Sequence, residues 1–466
     1  MAMAGSAVGL GNIWRFPYMV GEHGGAAFII VYIVCCLLVS LPIFFAEAII
    51  GKATRKDTFG ALETLAPRQR NVGFIAILAS FVILSFYSVV GGWSIDYLIR
   101  SLGGSFSGRS ISEAREVFAA MSASSVENVS CMLVFLGLTA IIVVAGVDKG
   151  IGRFSKVSIP VLFLMMVVIA AVSLSLPGAG KGVEYLVKPD FSKLDGPAIA
   201  AALGQSFFSL SLGVGTILTY SSYMKEDENL LSAGGWTAFF DTVFALIAGF
   251  AIMPAVFAAG IEPAAGPSLV FETLPVIFSQ MGKVLPVVFF LAILIAALSS
   301  SISMLEVVVA WLVDQKQMRR SHAVLAVFGA AALLGSACAV VPRVFSTCDF
   351  ISSNVLMMIG ALAFAMIVGW KMPREEVLRY VRYRFVYWLI RYAAPVMILA
   401  IAVTTWCNFY YICQIWQNPR KILRSSNSIS ASRPRILRRC CCSAWGISMS
   451  RTAMTPSSPA RCWGLC

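Results

Sequence analysis

A chain of 466 residues that is 59% hydrophobic and only 13% charged is too apolar for an ordinary water-soluble domain. Its formal charge of +13 comes from basic residues set between long apolar runs, so basic loops of a multi-pass membrane protein explain it better than a nucleic-acid surface. Of twelve cysteines, five follow residue 439 and most others lie in apolar runs, with no paired spacing for a metal site or a disulfide framework.

The chain opens on its most informative stretch, residues 5–17, GSAVGLGNIWRFP. It is apolar enough for a membrane, yet Gly9, Gly11 and Pro17 make it a poor continuous helix. A broken helix persists in a bilayer only where protein or a watery cavity satisfies the freed backbone groups. The unwound part offers carbonyl oxygens to a cation, and the half-helix after it turns N–H groups towards an anion. Ser6 and Asn12 add side-chain oxygens, and Arg15 places a fixed cation one turn beyond Asn12. The glycines alone would equally suit a small-residue packing face; the order Asn, Trp, Arg, Pro favours the break. Because this run is itself a span, no cleavable signal peptide is expected.

A tight EHGG connection leads to the second span, 26–50, which carries Glu47, a carboxylate expected to face the bundle interior. Lys52, Arg55, Lys56, Arg68 and Arg70 mark a cytoplasmic loop before the third span, 72–99, with Tyr87. Residues 101–127 read as an outside loop, 128–146 as the fourth span, VDKGIGRFSK as an inside loop and 157–176 as the fifth span. After a Gly/Pro-rich outer loop comes a second broken span, 198–224, interrupted from Ser209 to Gly215. Gly9-Leu-Gly11 and Gly213-Val-Gly215 open two successive five-span groups, the pattern of an inverted repeat with a site at the midplane. Five further spans are expected at 232–259, 286–313, 322–341, 350–370 and 386–411, with an outer amphipathic stretch at 263–282. The fold class is therefore an all-α membrane protein of about eleven transmembrane helices. Residues 1–416 form the membrane domain; 417–466, rich in Ser, Arg, Cys and Pro, read as an unstructured or out-of-frame tail.

The run GSAVGLGNIWRFPYMVGEHGGAAF resembles the first-span signature of the neurotransmitter:sodium symporters, in their bacterial amino-acid branch, and the similarity continues to about residue 411. The resemblance implies two sodium sites. The first would use the Ala7 carbonyl, Asn12, Ser209 and Asp241, completed by the substrate carboxylate. The second would use carbonyls of Gly5, Val8 and Ala296 with the hydroxyls of Ser299 and Ser300. Read without the family, the hydroxyls of LSSSIS at 298–303 would equally bond back to their own helix. The substrate site would place Tyr87 and the N–H groups of Leu10 and Gly11 on the carboxylate, and carbonyls of Phe208 and Ser211 on the ammonium, with Phe208 as a lid. Ile83, Val214 and Met304 would wall it. Amine-transporting relatives carry Asp where this chain has Gly9, which favours a zwitterionic amino acid.

Two departures from the family pattern follow. Asp241 stands where Asn is usual, beside a region that resembles the chloride site of Tyr32, Gln205 and Ser209, so its carboxylate is expected to replace chloride. A structural, paired or protonated Asp is the alternative. Arg15 and Asp349 match an outer gate, with Gln205 nearby; Asp314 matches the acidic half of an inner gate whose basic partner would precede Met1. The expected function is sodium-coupled symport of a neutral, hydrophobic amino acid across the plasma membrane, with no enzymatic chemistry. A proton-coupled permease of the same fold, or a non-transporting truncated product, are the alternatives.

Overall fold

The computed structural model describes residues 2–261 and 269–404. The tail at 417–466, the end of the eleventh span and part of the 263–282 stretch lie outside the described residues. Every described span is helical, as apolar sequence in lipid requires, because only internal hydrogen bonds can satisfy its backbone.

Among the described residues nine helices are long and apolar enough to cross a bilayer. They are Ala26–Thr54, Pro67–Leu102, Ser125–Val144, Val147–Leu174, Leu230–Ala258, Val284–Lys316, Arg320–Val340, Pro342–Lys371 and Arg384–Thr404. Two interrupted spans complete eleven. The first runs through Ala2–Ala7, an irregular stretch, a wide turn at Gly11–Arg15 and Phe16–Glu22. The sixth runs through Gly196–Ser209 and Thr216–Ser222. Within its break Ser211, Gly213 and Gly215 hold positive φ, which glycine adopts without strain.

The eighth span packs along the third, the third along the fourth, and the ninth against both. Onto this frame dock the broken spans. The short Ala2–Ala7 helix touches the fifth, seventh and eighth spans and the second half of the sixth. Close backbone approaches hold the breaks in place: a Cβ added at Gly360 of the tenth span would collide with the Gly213 carbonyl, and one at Gly213 with the Met357 carbonyl. At the inner end, Glu306 is fully buried; Arg320 donates to both of its carboxylate oxygens and Tyr223 donates to Oε1 at 2.9 Å. Arg320 also donates Nε to the Val143 carbonyl at 2.9 Å, so four spans converge on one ion pair.

Several boundaries differ from the sequence reading. The expected inside loop 147–156 is helical and starts the fifth span, and the tenth span begins at Pro342. The outer loop 101–127 contains the helix Ile111–Ala123, opened by a Ser110–Glu113 capping box. The loop after the fifth span contains Ala179–Val187. Hydropathy alone misses these helices because they are short, or because charged turns continue a helix without ending it.

Candidate functional site

The two breaks face one another. Ser211 donates its hydroxyl to the Ser6 carbonyl at 3.2 Å, joining the sixth span to the first. Between them lies a space of about 30 Å³, room for about two waters. Gly11, Ile83, Tyr87, Phe208, Ser211, Val214 and Met304 all line it, so seven of the eight expected substrate residues come together, with Ala7 of the first sodium set beside them. Leu10 does not line it: its side chain is fully buried, and its N–H lies near the Tyr87 hydroxyl. That hydroxyl is buried, with the Ser300 hydroxyl also near it, and makes no hydrogen bond of full geometry. Thr216, Ser303 and Met357 also line the space, and sequence reasoning missed them. Nothing in their local pattern marks them; the fold alone brings Met357 in from the tenth span.

Phe208 separates this space from a larger one of about 220 Å³ on its outer side, lined also by Arg15, Pro197 and Asn354. The Arg15 guanidinium covers the Phe208 ring at 4.7 Å. Arg15 and Asp349 form no ion pair in this conformation, and Asp349 accepts from Ser353 at 3.1 Å instead. Gln205 is not at the mouth: it is fully buried and donates to the Gly11 carbonyl at 3.4 Å, one turn below.

The first expected sodium set is tightly knit. Asn12 donates Nδ2 to the Asp241 carboxylate at 2.7 Å and to its carbonyl at 3.0 Å. Its Oδ1 accepts the Gly9 N–H at 3.4 Å. Ser209 donates to both Asp241 carboxylate oxygens, at 2.7 and 2.9 Å, and Tyr32 donates at 3.3 Å. Asp241 thus sits fully buried among amide and hydroxyl donors, with no basic side chain among the described residues paired to it.

In the second set the Ser299 hydroxyl reaches two carbonyls, Val8 at 3.1 Å and Ala296 at 2.8 Å. Back-bonding within the helix is also real, from Ser301 to Leu298 and from Ser303 to Ser299. Ser300 faces the first break, where a Cβ added at Gly9 would collide with its hydroxyl. Gly5 packs on Ser155 of the fifth span, 2.8 Å from where a Cβ would stand. Carbonyls, hydroxyls, an amide and one carboxylate form a hard-oxygen group suited to an alkali cation.

Asp314 forms no ion pair among the described residues. It is not left without a partner: its Oδ2 accepts the Asp57 N–H at 3.2 Å. Asp57 in turn caps the helix Thr58–Leu65 and accepts from Gln315 at 2.7 Å. Burial pushes the Asp57 carboxyl above its usual range, opposed by the Gln315 amide and the N–H groups of Gly60 and Phe59.

The family model of the sodium:neurotransmitter symporter family matches this chain over residues 1–130 and 105–422. An uncharacterized sodium-dependent transporter of Bacillus subtilis is 36% identical over 430 residues, 86% of this chain and 94% of that protein. One of Haemophilus influenzae is 33% identical, over 87% of this chain and 95% of its own. Among solved structures, MhsT in complex with L-phenylalanine aligns with a TM-score of 0.81 at 37% identity, covering 86% of this chain and 96% of its own.

Proposed function

The chain belongs to the sodium:neurotransmitter symporter family of multi-pass membrane transporters, and from that premise we propose that it carries a neutral, hydrophobic amino acid inward with two sodium ions by alternating access. The observation that carries the substrate class is the buried Tyr87 hydroxyl at the wall of the central space, which makes no well-formed hydrogen bond and has the Leu10 N–H beside it. A carboxylate arriving there would accept from Tyr87 and from the N–H groups of the first break. Ile83, Val214 and Met304 offer an apolar wall to a side chain. The ammonium would meet the carbonyls around Phe208 and Ser211 rather than a carboxylate, since any side chain at Gly9 would run into Ser300. That favours a zwitterion over a monoamine. The phenylalanine bound by MhsT is of the same chemical class.

Asn12, Ser209 and Asp241 with Ala7 would hold one sodium, and Ser299 and Ser300 with the Gly5, Val8 and Ala296 carbonyls the other. The Asp241 carboxylate would supply the negative charge that chloride supplies in other members. Phe208, capped by Arg15, would close the site from outside, and Asp349 would approach Arg15 as the tenth span moves. Asp314, bound to the Asp57 N–H, would hold the inner side closed.

The test is uptake of radiolabelled neutral amino acids into vesicles holding the purified full chain, with sodium replaced by choline and with an imposed proton gradient. Uptake should require sodium, and Ser300→Ala should raise the sodium concentration needed. Uptake that follows the proton gradient without sodium would overturn the reading.

A further inference from the structure

We propose that the cytoplasmic end of the cleft between the tenth and eleventh spans binds the phosphate headgroup of an anionic phospholipid, held by Arg374 and Arg391. Arg391 lies seven residues into the helix Arg384–Thr404, roughly 10 Å from its start. A guanidinium at that depth is costly unless it is paired or reaches the headgroup layer.

Its surroundings are built rather than incidental. Gly369 lets the two spans meet, its missing Cβ only 2.8 Å from the Arg391 Cα, and Trp370 donates Nε1 to the Arg391 carbonyl at 3.1 Å. The guanidinium lies over Trp370 at 4.6 Å and Tyr392 at 5.4 Å, and donates Nη1 to the Tyr387 hydroxyl at 2.8 Å. Arg374, from the inner helix Arg374–Val381, covers the same Tyr387 ring at 5.8 Å, against 5.9 Å for Arg391. Two cations thus share one ring, and among the described residues neither forms an ion pair. The Nε of Arg391 is buried without a hydrogen-bond partner. Residues 405–466 contain no Asp or Glu, so that stretch of the chain offers no side-chain carboxylate as counter-charge.

What surrounds the pair is lipid-facing. Trp370, Trp388, Tyr383 and Phe385 are all more than half exposed, the aromatic belt expected at headgroup level. Guanidinium forks match phosphate oxygens, and the cytoplasmic leaflet carries the anionic lipids. A phosphodiester between Arg374 and Arg391 would supply the missing charge while its acyl chains ran along the aromatic face.

The experiment is native mass spectrometry of the purified full chain with phosphatidylglycerol or phosphatidylcholine of matched acyl chains. The parent should retain phosphatidylglycerol preferentially. Arg374→Gln and Arg391→Gln should each lower that retention roughly fivefold, and Arg391→Lys should keep most of it. Equal retention of the two lipids by the parent would overturn the proposal. So would displacement by soluble glycerol phosphate, which marks a free-anion site. If Arg391→Gln fails to fold, Arg374→Gln decides alone, since it lies outside the span; unchanged retention there overturns the proposal. The lipid readout is independent of whether uptake needs sodium.

Discussion

Glu47 of the second span accepts the backbone N–H of Gly213 at 2.6 Å, fastening the break in the sixth span from a position 166 residues away. Both groups are buried. Unwinding leaves backbone donors that a bilayer cannot satisfy, and this carboxylate answers one of them. Glu47→Ala should therefore orphan the Gly213 amide and cost about 1–3 kcal/mol. Glu47→Gln keeps an acceptor and should cost less. Thermal unfolding of the purified protein compares the two; equal losses would show that the hydrogen bond is not what matters there.

Gly9 should tolerate no side chain while Ser300 keeps its hydroxyl. Gly9→Ala is expected to destabilise by about 1–3 kcal/mol through overpacking. Removing the hydroxyl should relieve it, because the next atoms, Ser300 Cβ and the Ala296 carbonyl, stand 3.6 and 3.7 Å from the added Cβ. The melting temperature of Gly9→Ala/Ser300→Ala should then exceed that of Gly9→Ala alone. An additive or worse double variant would refute the contact as the cause.

Transport should not need chloride. Replacing chloride by gluconate should leave uptake by the parent unchanged, whereas Asp241→Asn should lose activity or become chloride-sensitive. The motive is a buried carboxylate ringed by Asn12, Ser209 and Tyr32, with no cation paired to it. If the parent itself stalls in gluconate, Asp241 does not play this part.

Arg320→Ala should be among the most damaging single changes. It leaves Glu306 buried without a counter-charge, a loss of about 3–5 kcal/mol, and removes the Nε donor that ties the Val143 carbonyl to the ninth span. Pairing it with Glu306→Gln should recover much of the loss. Expression and melting temperature of the three variants measure this, and no recovery in the double variant would assign the damage to lost packing instead.

Much of this was legible in the sequence for physical reasons that differ by residue. The two Gly-x-Gly breaks declare themselves because few apolar spans can carry such residues, and Glu47 because a carboxylate in a span must find a donor. Asp241 could be placed through family resemblance, and the structure sets it in hydrogen-bond contact with Asn12 and Ser209. The gates were not legible in the same way. Arg15 and Asp349 stand unpaired here, and sequence does not encode which conformation is seen. The partner of Asp314 is a backbone N–H, and backbone groups carry no sequence signature. Nor did pattern reveal Met357, which lines the central space from the tenth span, beside the close approach of Gly360 to Gly213.

That approach has a mechanical consequence. With no side chain between them, the sixth-span break and the tenth span bear directly on each other, backbone against backbone. A rearrangement of residues 210–215 around a cargo must displace Gly360, slide against it, or be refused. The tenth span also carries Asp349, about two turns before Met357. If cargo loads between the breaks as proposed, that loading would be geared to the position of the outer mouth through bare main chain, a linkage that substitutions of pocket side chains would leave in place.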